Sequence, residues 1–130
     1  MKGLDTNVLV RYVMDDDEAQ ADLATRTLQG LTPTEPGFIS IAALAELNWV
    51  LRRSYQVSRA EVAALIRELS AADEVVLQDS EAVREALTSV AGGLDFSDAL
   101  IAAAGKGAGC TTTITFDRQA ARHDGFELLA

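Results

Sequence analysis

The sequence predicts an α/β fold with a parallel sheet covered by helices on both faces, and three observations carry that prediction. Short apolar segments alternate with helix-period segments along the whole chain. Each strand candidate is only a few residues long and mostly apolar, as in strands buried on both sides. Serines able to cap helices stand at the junctions, at Ser40, Ser58 and Ser80.

Taken in order, residues 2–5 predict a first short strand that ends on Asp5. Residues 7–14 and 18–29 predict helices, split by the acidic turn Asp15-Asp16-Asp17. The two prolines, Pro33 and Pro36, mark a loop, and residues 37–40 follow as a second strand. Ser40 then caps a long helix over 41–55. Ser58 and Glu61 have the spacing of a capping box and open the next helix. Val75 to Leu77 reads as a third strand, with Ser80 as the cap of a helix beyond it. Residues 96–104 predict a further helix, 111–116 a fourth strand, 118–122 a short helix and 126–129 a fifth strand. Crossovers in such a sheet are right-handed.

The chain has 130 residues, one domain's worth, with no internal repeat and no linker. A single cysteine, Cys110, points to a reducing compartment. Cys110 and His123, the only histidine, leave a Cys–His pair as a minor alternative, and they are too few for the usual zinc sites. No targeting segment is visible after Met1 and no apolar run reaches roughly 20 residues, so the expectation is a soluble cytoplasmic protein without a membrane partner. The net charge is −9, from 20 acids against 11 bases. That argues against a general basic nucleic-acid footprint and fits a metal-dependent site, a basic protein partner or simply a soluble surface, among which charge alone does not choose.

In parallel sheets, ligands bind beyond the carboxyl ends of the strands. Asp5 ends the first strand and Asp117 follows the fourth. Glu46 has apolar face neighbours, Ala42, Ala43, Trp49 and Val50, and Asp98 is followed one turn on by Ile101 and Ala102. Each acid has a plainer reading. Asp5 and Asp117 could cap helices, Glu46 could pair with Arg52 or Arg53, and Asp98 could complete a cap begun by Asp95. The run from Asp15 to Glu18 reads as a solvated turn. Arg118 and Arg122 could contact phosphate or simply line an exposed helix. Four acids at strand ends and on helix faces nevertheless suit a site assembled by folding. Crowded carboxylates repel unless a cation intervenes, and oxygen-only donors suit Mg²⁺ or Mn²⁺.

The segments LDTNVLVRY, SIAALAELNWVLRR, LDFSDALIAAA and TITFDRQAAR together resemble the PIN-domain family, and more narrowly the VapC-type toxins of bacterial toxin–antitoxin pairs. The resemblance covers nearly the whole chain. It implies a three-layer α/β/α fold around a central parallel sheet of about five short strands, with the first and fourth side by side. It implies an endoribonuclease that uses Mg²⁺ or Mn²⁺ to activate water, leaving a 5′-phosphate and a 3′-hydroxyl. The family's four acids fall on Asp5, Glu46, Asp98 and Asp117, with Glu46 a metal ligand directly or through water. Thr6, Asn7, Asp95 and Thr115 would orient ligands or touch substrate. Implied partners are an RNA such as a tRNA, a VapB-type antitoxin and a second copy of the chain. The alternatives are a receiver-like module, for which Asp79 is a loose phosphoacceptor and the lysines are poorly placed, and a non-catalytic PIN-like binding module. A phosphatase lacks the acid it needs at Asn7, and no Gly-rich dinucleotide loop follows the first strand.

Overall fold

The computed structural model describes residues 1–129. The chain divides into two compact units, Met1–Ser80 and Glu81–Ala130. The first holds β1 (Lys2–Gly3), α1 (Thr6–Met14), α2 (Glu18–Gln29), β2 (Gly37–Ile39), α3 (Ile41–Ser54), α4 (Arg59–Ala71) and β3 (Val75–Leu77). The second holds α5 (Ser80–Ala91) from its second residue on, α6 (Phe96–Gly107), β4 (Thr113–Thr115), a 3-10 turn at Ala120–Arg122 and β5 (Phe126–Leu128).

The expected α/β alternation and parallel pairing are present. The single sheet of about five strands is not: β1, β2 and β3 form one sheet, and β4 and β5 form another. The ladders are parallel, with Lys2 opposite Gly37, Gly37 opposite Val75 and Thr113 opposite Phe126. Strands of two or three residues make only two or three register pairs each, so a short ladder ends where the chain turns into the next helix.

In the first unit, the Leu4 N–H donates to the Phe38 carbonyl at 2.8 Å and carries the extended path one residue past β1. Leu4 is buried beside Gly37, where a Cβ would lie 2.8 Å from Leu4 Cδ1. Gln78 ties the carboxyl ends of β2 and β3 together. Its N–H donates to the Ile39 carbonyl at 3.0 Å, and its side-chain oxygen accepts from the Ile41 N–H at 2.9 Å. Ser40 caps α3 by accepting from the Ala43 N–H at 3.0 Å. The α3 core face is Ala43, Leu44, Leu47, Asn48 and Leu51, and α4 buries Val62, Ala63, Ile66 and Leu69.

The acidic turn between α1 and α2 does more than meet solvent. Asp15 takes a left-handed conformation (φ 51°) at the end of α1. Asp16 accepts from Arg11 Nη1 at 2.8 Å and from the Tyr55 hydroxyl, and Asp17 caps α2 by accepting from the Gln20 N–H at 3.1 Å. The capping box at Ser58 is half formed: the Ser58 hydroxyl oxygen accepts from the Glu61 N–H at 3.1 Å. The same hydroxyl then donates to the Glu61 carboxylate at 3.0 Å, in place of the reciprocal bond to the Ser58 main chain.

In the second unit, α5 buries Ala82, Val83, Ala86, Leu87 and Val90, and α6 buries Phe96, Ala99, Leu100 and Ala103. Ser80 is the first residue of α5, not the residue before it. The expected helix over 118–122 shrinks to the 3-10 turn at Ala120–Arg122, which leaves Arg118 outside it. No helix among the described residues is long and apolar enough to cross a membrane.

Candidate active site

Asp5 stands in the capping position of α1 with extended backbone (φ −75°, ψ 155°), yet its side chain makes no capping bond. Its carbonyl opens the helix by accepting from Val8 N–H at 3.1 Å. The carboxylate is exposed, so capping does not account for it. Thr6 turns inward and is buried, whereas Asn7 is exposed beside Asp5. The β1 path with the buried Leu4 therefore delivers one carboxylate to the surface at a strand's carboxyl end.

Glu46 corrects the sequence reading of its helix. Ala42, Glu46 and Trp49 are all exposed, and Val50 is half-buried. The face expected to be buried around Glu46 is mostly a surface face: of its four apolar neighbours only Ala43 is buried, and the helix turns Leu44, Leu47 and Leu51 to the core, one residue round from the expected stripe. The alternative of an ion pair also fails: among the described residues Glu46 pairs with no cation, and Arg53 lies instead over the Trp49 ring, 5.2 Å from its centroid.

In the second unit, two carboxylates act on a third, Asp98. Asp95 caps α6, accepting from the Ser97 N–H at 3.1 Å. Asp98 lies in the first turn of the same helix and is half-buried. Burial pushes its carboxyl above the ordinary range, and the charges of Asp95 and Asp117 push it further. Asp117 closes the turn after β4: its Oδ1 accepts from Gln119 N–H at 2.9 Å and from Ala120 N–H at 3.2 Å. Both bonds use one oxygen, and Oδ2 takes no hydrogen bond among the described residues. Thr115 supports this turn from the strand, its hydroxyl accepting from the Asp117 N–H at 3.0 Å. Arg118 and Arg122 are exposed and form no ion pair among the described residues.

The donor chemistry suits a hard divalent cation, since every candidate ligand offers carboxylate oxygen. The geometry is open: among the described residues no group of three or more His, Cys, Asp or Glu side chains stands ready to enclose a metal. A cavity of about 390 Å³ in the second unit is lined by Glu85, Ser89, Lys106, Cys110 and Asp124, among others. It contains none of the four acids, so that pocket is not the candidate site; Asp5 and Glu46 belong to the first unit, Asp98 and Asp117 to the second.

Sequence reasoning missed Gln78 and Asn48. Asn48 is buried on α3, and its only signal was a polar residue between Leu47 and Leu51. Gln78 gave no signal, since a glutamine after a strand has no periodic context.

No curated protein matches the chain. The PIN-domain family model matches residues 3–125, which takes in Asp5, Glu46, Asp98 and Asp117. An exposed, non-capping acid after β1 and a repelling trio of aspartates around α6 and β4 thus lie within that match, and the chain belongs to the PIN-domain family, whose fold is a nuclease fold.

Proposed function

We propose that this chain is a single PIN domain over residues 1–130 acting as a metal-dependent endoribonuclease, the VapC-type toxin of a toxin–antitoxin pair. The observation that carries the reading is the Asp98 carboxyl, desolvated and facing the negative charges of Asp95 and Asp117. Such a group gains most from a cation that neutralises its neighbours.

The acids proposed to act are Asp5, Glu46, Asp98 and Asp117. Asp5, Asp98 and Asp117 would hold Mg²⁺ or Mn²⁺, with Glu46 bound directly or through water. When bound, that ion would polarise the phosphoryl oxygen and lower the pKa of a water. Thr115 fixes the Asp117 turn through its hydroxyl, and Asp95 fixes the start of α6 that carries Asp98. Thr6 and Asn7 set the start of α1 around Asp5. Glu46, the one candidate on an exposed mid-helix position, has the freedom to accept a proton from the attacking water. Arg118 and Arg122, exposed and unpaired among the described residues, would meet RNA phosphate.

A net charge of −9 disfavours indiscriminate RNA binding and favours a structured RNA such as a tRNA, held by a few arginines. It also suits a basic VapB-type antitoxin segment over the acids; the homodimer follows from the family resemblance alone, and a cytoplasmic setting is part of the same proposal. The test is incubation of the purified chain with a tRNA pool in Mg²⁺, Mn²⁺ or EDTA. Metal-dependent products carrying 5′-phosphates are expected, and intact RNA in both metals contradicts the proposal.

A further inference from the structure

Ala42, Glu46, Trp49 and Arg53 follow one another at four, three and four residues, the spacing of one helical face, and all four are exposed. Trp49 is the only tryptophan in the chain and is 55 % exposed. Its ring carries the Arg53 guanidinium at 5.2 Å, so the indole is held by a cation while more than half of its surface meets water. Arg52 and Arg53 both stand in the last turn of α3, in a chain with only 11 basic residues against 20 acidic ones.

An exposed apolar residue such as Leu23 needs no explanation when it stands singly. Trp49 differs in its surroundings. Its face neighbours are a carboxylate, a small residue and a guanidinium, which is no apolar seat for a protein partner. They combine a flat aromatic surface with positive charge, as in surfaces that take single-stranded nucleic acid. Glu46 lies one turn away, and a turn rises about 5.4 Å along the helix, the scale of one nucleotide step.

We infer that Trp49 and Arg53 form a stacking platform for one unpaired base of the RNA substrate, one helical turn from Glu46. The base lies against the indole, and the Arg53 guanidinium reaches the neighbouring phosphate. The inference rests on the ribonuclease reading and adds to it the class of RNA feature that is recognised.

The single tryptophan makes the test direct. The full chain in EDTA, where no metal-dependent cleavage occurs, is titrated with short oligouridine, oligoadenosine and a fully paired RNA duplex. Tryptophan fluorescence and the anisotropy of labelled RNA are followed together. The single strands should quench the fluorescence and the duplex should not. Trp49→Ala should weaken single-strand binding by about tenfold or more, and Trp49→Phe by less. Arg53→Gln should weaken binding and lower its salt slope by about one ion. Circular dichroism checks that the helical fold is kept, since alanine is a good helix former at an exposed site. Equal single-strand affinity for Trp49→Ala and the unaltered chain, with no quench, overturns the platform. So does a shift from dimer to monomer in Trp49→Ala at unchanged RNA affinity, which assigns the patch to a protein interface. Because binding is read without metal, a missing quench beside metal-dependent cleavage overturns the platform and leaves the ribonuclease reading standing.

Discussion

The main-chain N–H of Asp117 donates to the hydroxyl of Thr115 at 3.0 Å, so the last residue of β4 holds the acid that follows it. Thr115→Val keeps the β-branched shape and removes the acceptor. Cleavage should fall by about ten- to a hundredfold, the usual cost of losing an orienting partner of a ligand. Thr115→Ser should restore most of it. The measurement is kcat/KM for RNA cleavage, with circular dichroism showing the fold unchanged.

Asp98 makes stability depend on pH in a definite direction. Burial and then the Asp95 and Asp117 charges raise its carboxyl, so the folded chain binds that proton more tightly than the unfolded chain. Stability therefore falls as pH rises from the ordinary carboxylate value through the raised one, and the penalty is complete above it. Asp98→Asn should melt higher than the unaltered chain at pH 7. The gap should close below about pH 4, where the unfolded carboxyl is protonated too. Thermal melts across pH check this. Added Mn²⁺ should raise the melting temperature of the unaltered chain more than that of the variant.

Gly37 sits where β2 meets the Leu4 side chain. A Cβ there would lie 2.8 Å from Leu4 Cδ1 and 2.8 Å from Leu31 Cδ1. Gly37→Ala should push Leu4 aside and cost about 1–3 kcal/mol, as overpacked sites do. It should also lower cleavage, because Leu4 is the buried residue immediately before Asp5. Gly3→Ala is the control, since nothing lies within 4 Å of its added Cβ. Urea unfolding of both variants separates them.

Asp16 joins the α1–α2 turn to the end of α3. The Tyr55 hydroxyl bond, the largest cause, and the Arg11 guanidinium hold its carboxyl below the ordinary range, against a smaller opposing effect of desolvation. A lowered carboxyl stabilises the fold above its unfolded value, and the gain is lost as pH falls through the folded value. Tyr55→Phe should therefore melt lower than the unaltered chain at pH 7 and match it more closely in acid. Melting curves at the two pH values are sufficient.

The helices and strands were legible where apolar period and a cap coincided. Ser40 caps α3 as its position predicts, and α2 and β3 fall on the residues expected. Ladder pairing was not legible, because strands of two or three residues carry no register signal of their own. Glu46 shows a second limit. Apolar residues run nearly all round α3, so a periodic count could not say which stripe faces the core; Leu44, Leu47 and Leu51 did, and the face of Glu46 and Trp49 turned outward. For Asp5 and Asp98 the competing cap readings were fair from sequence. Only the side chains could separate them, by the missing cap bond at Asp5 and the crowded charges at Asp98.

The central claim is that the carboxylates act together on RNA. It is tested most directly by metal-dependent cleavage measured for the unaltered chain beside Asp5→Asn, Glu46→Gln, Asp98→Asn and Asp117→Asn, each checked for folding. The account predicts cleavage in Mg²⁺ or Mn²⁺ that falls by about a hundredfold or more in each variant. Cleavage that survives Asp98→Asn unchanged would contradict it.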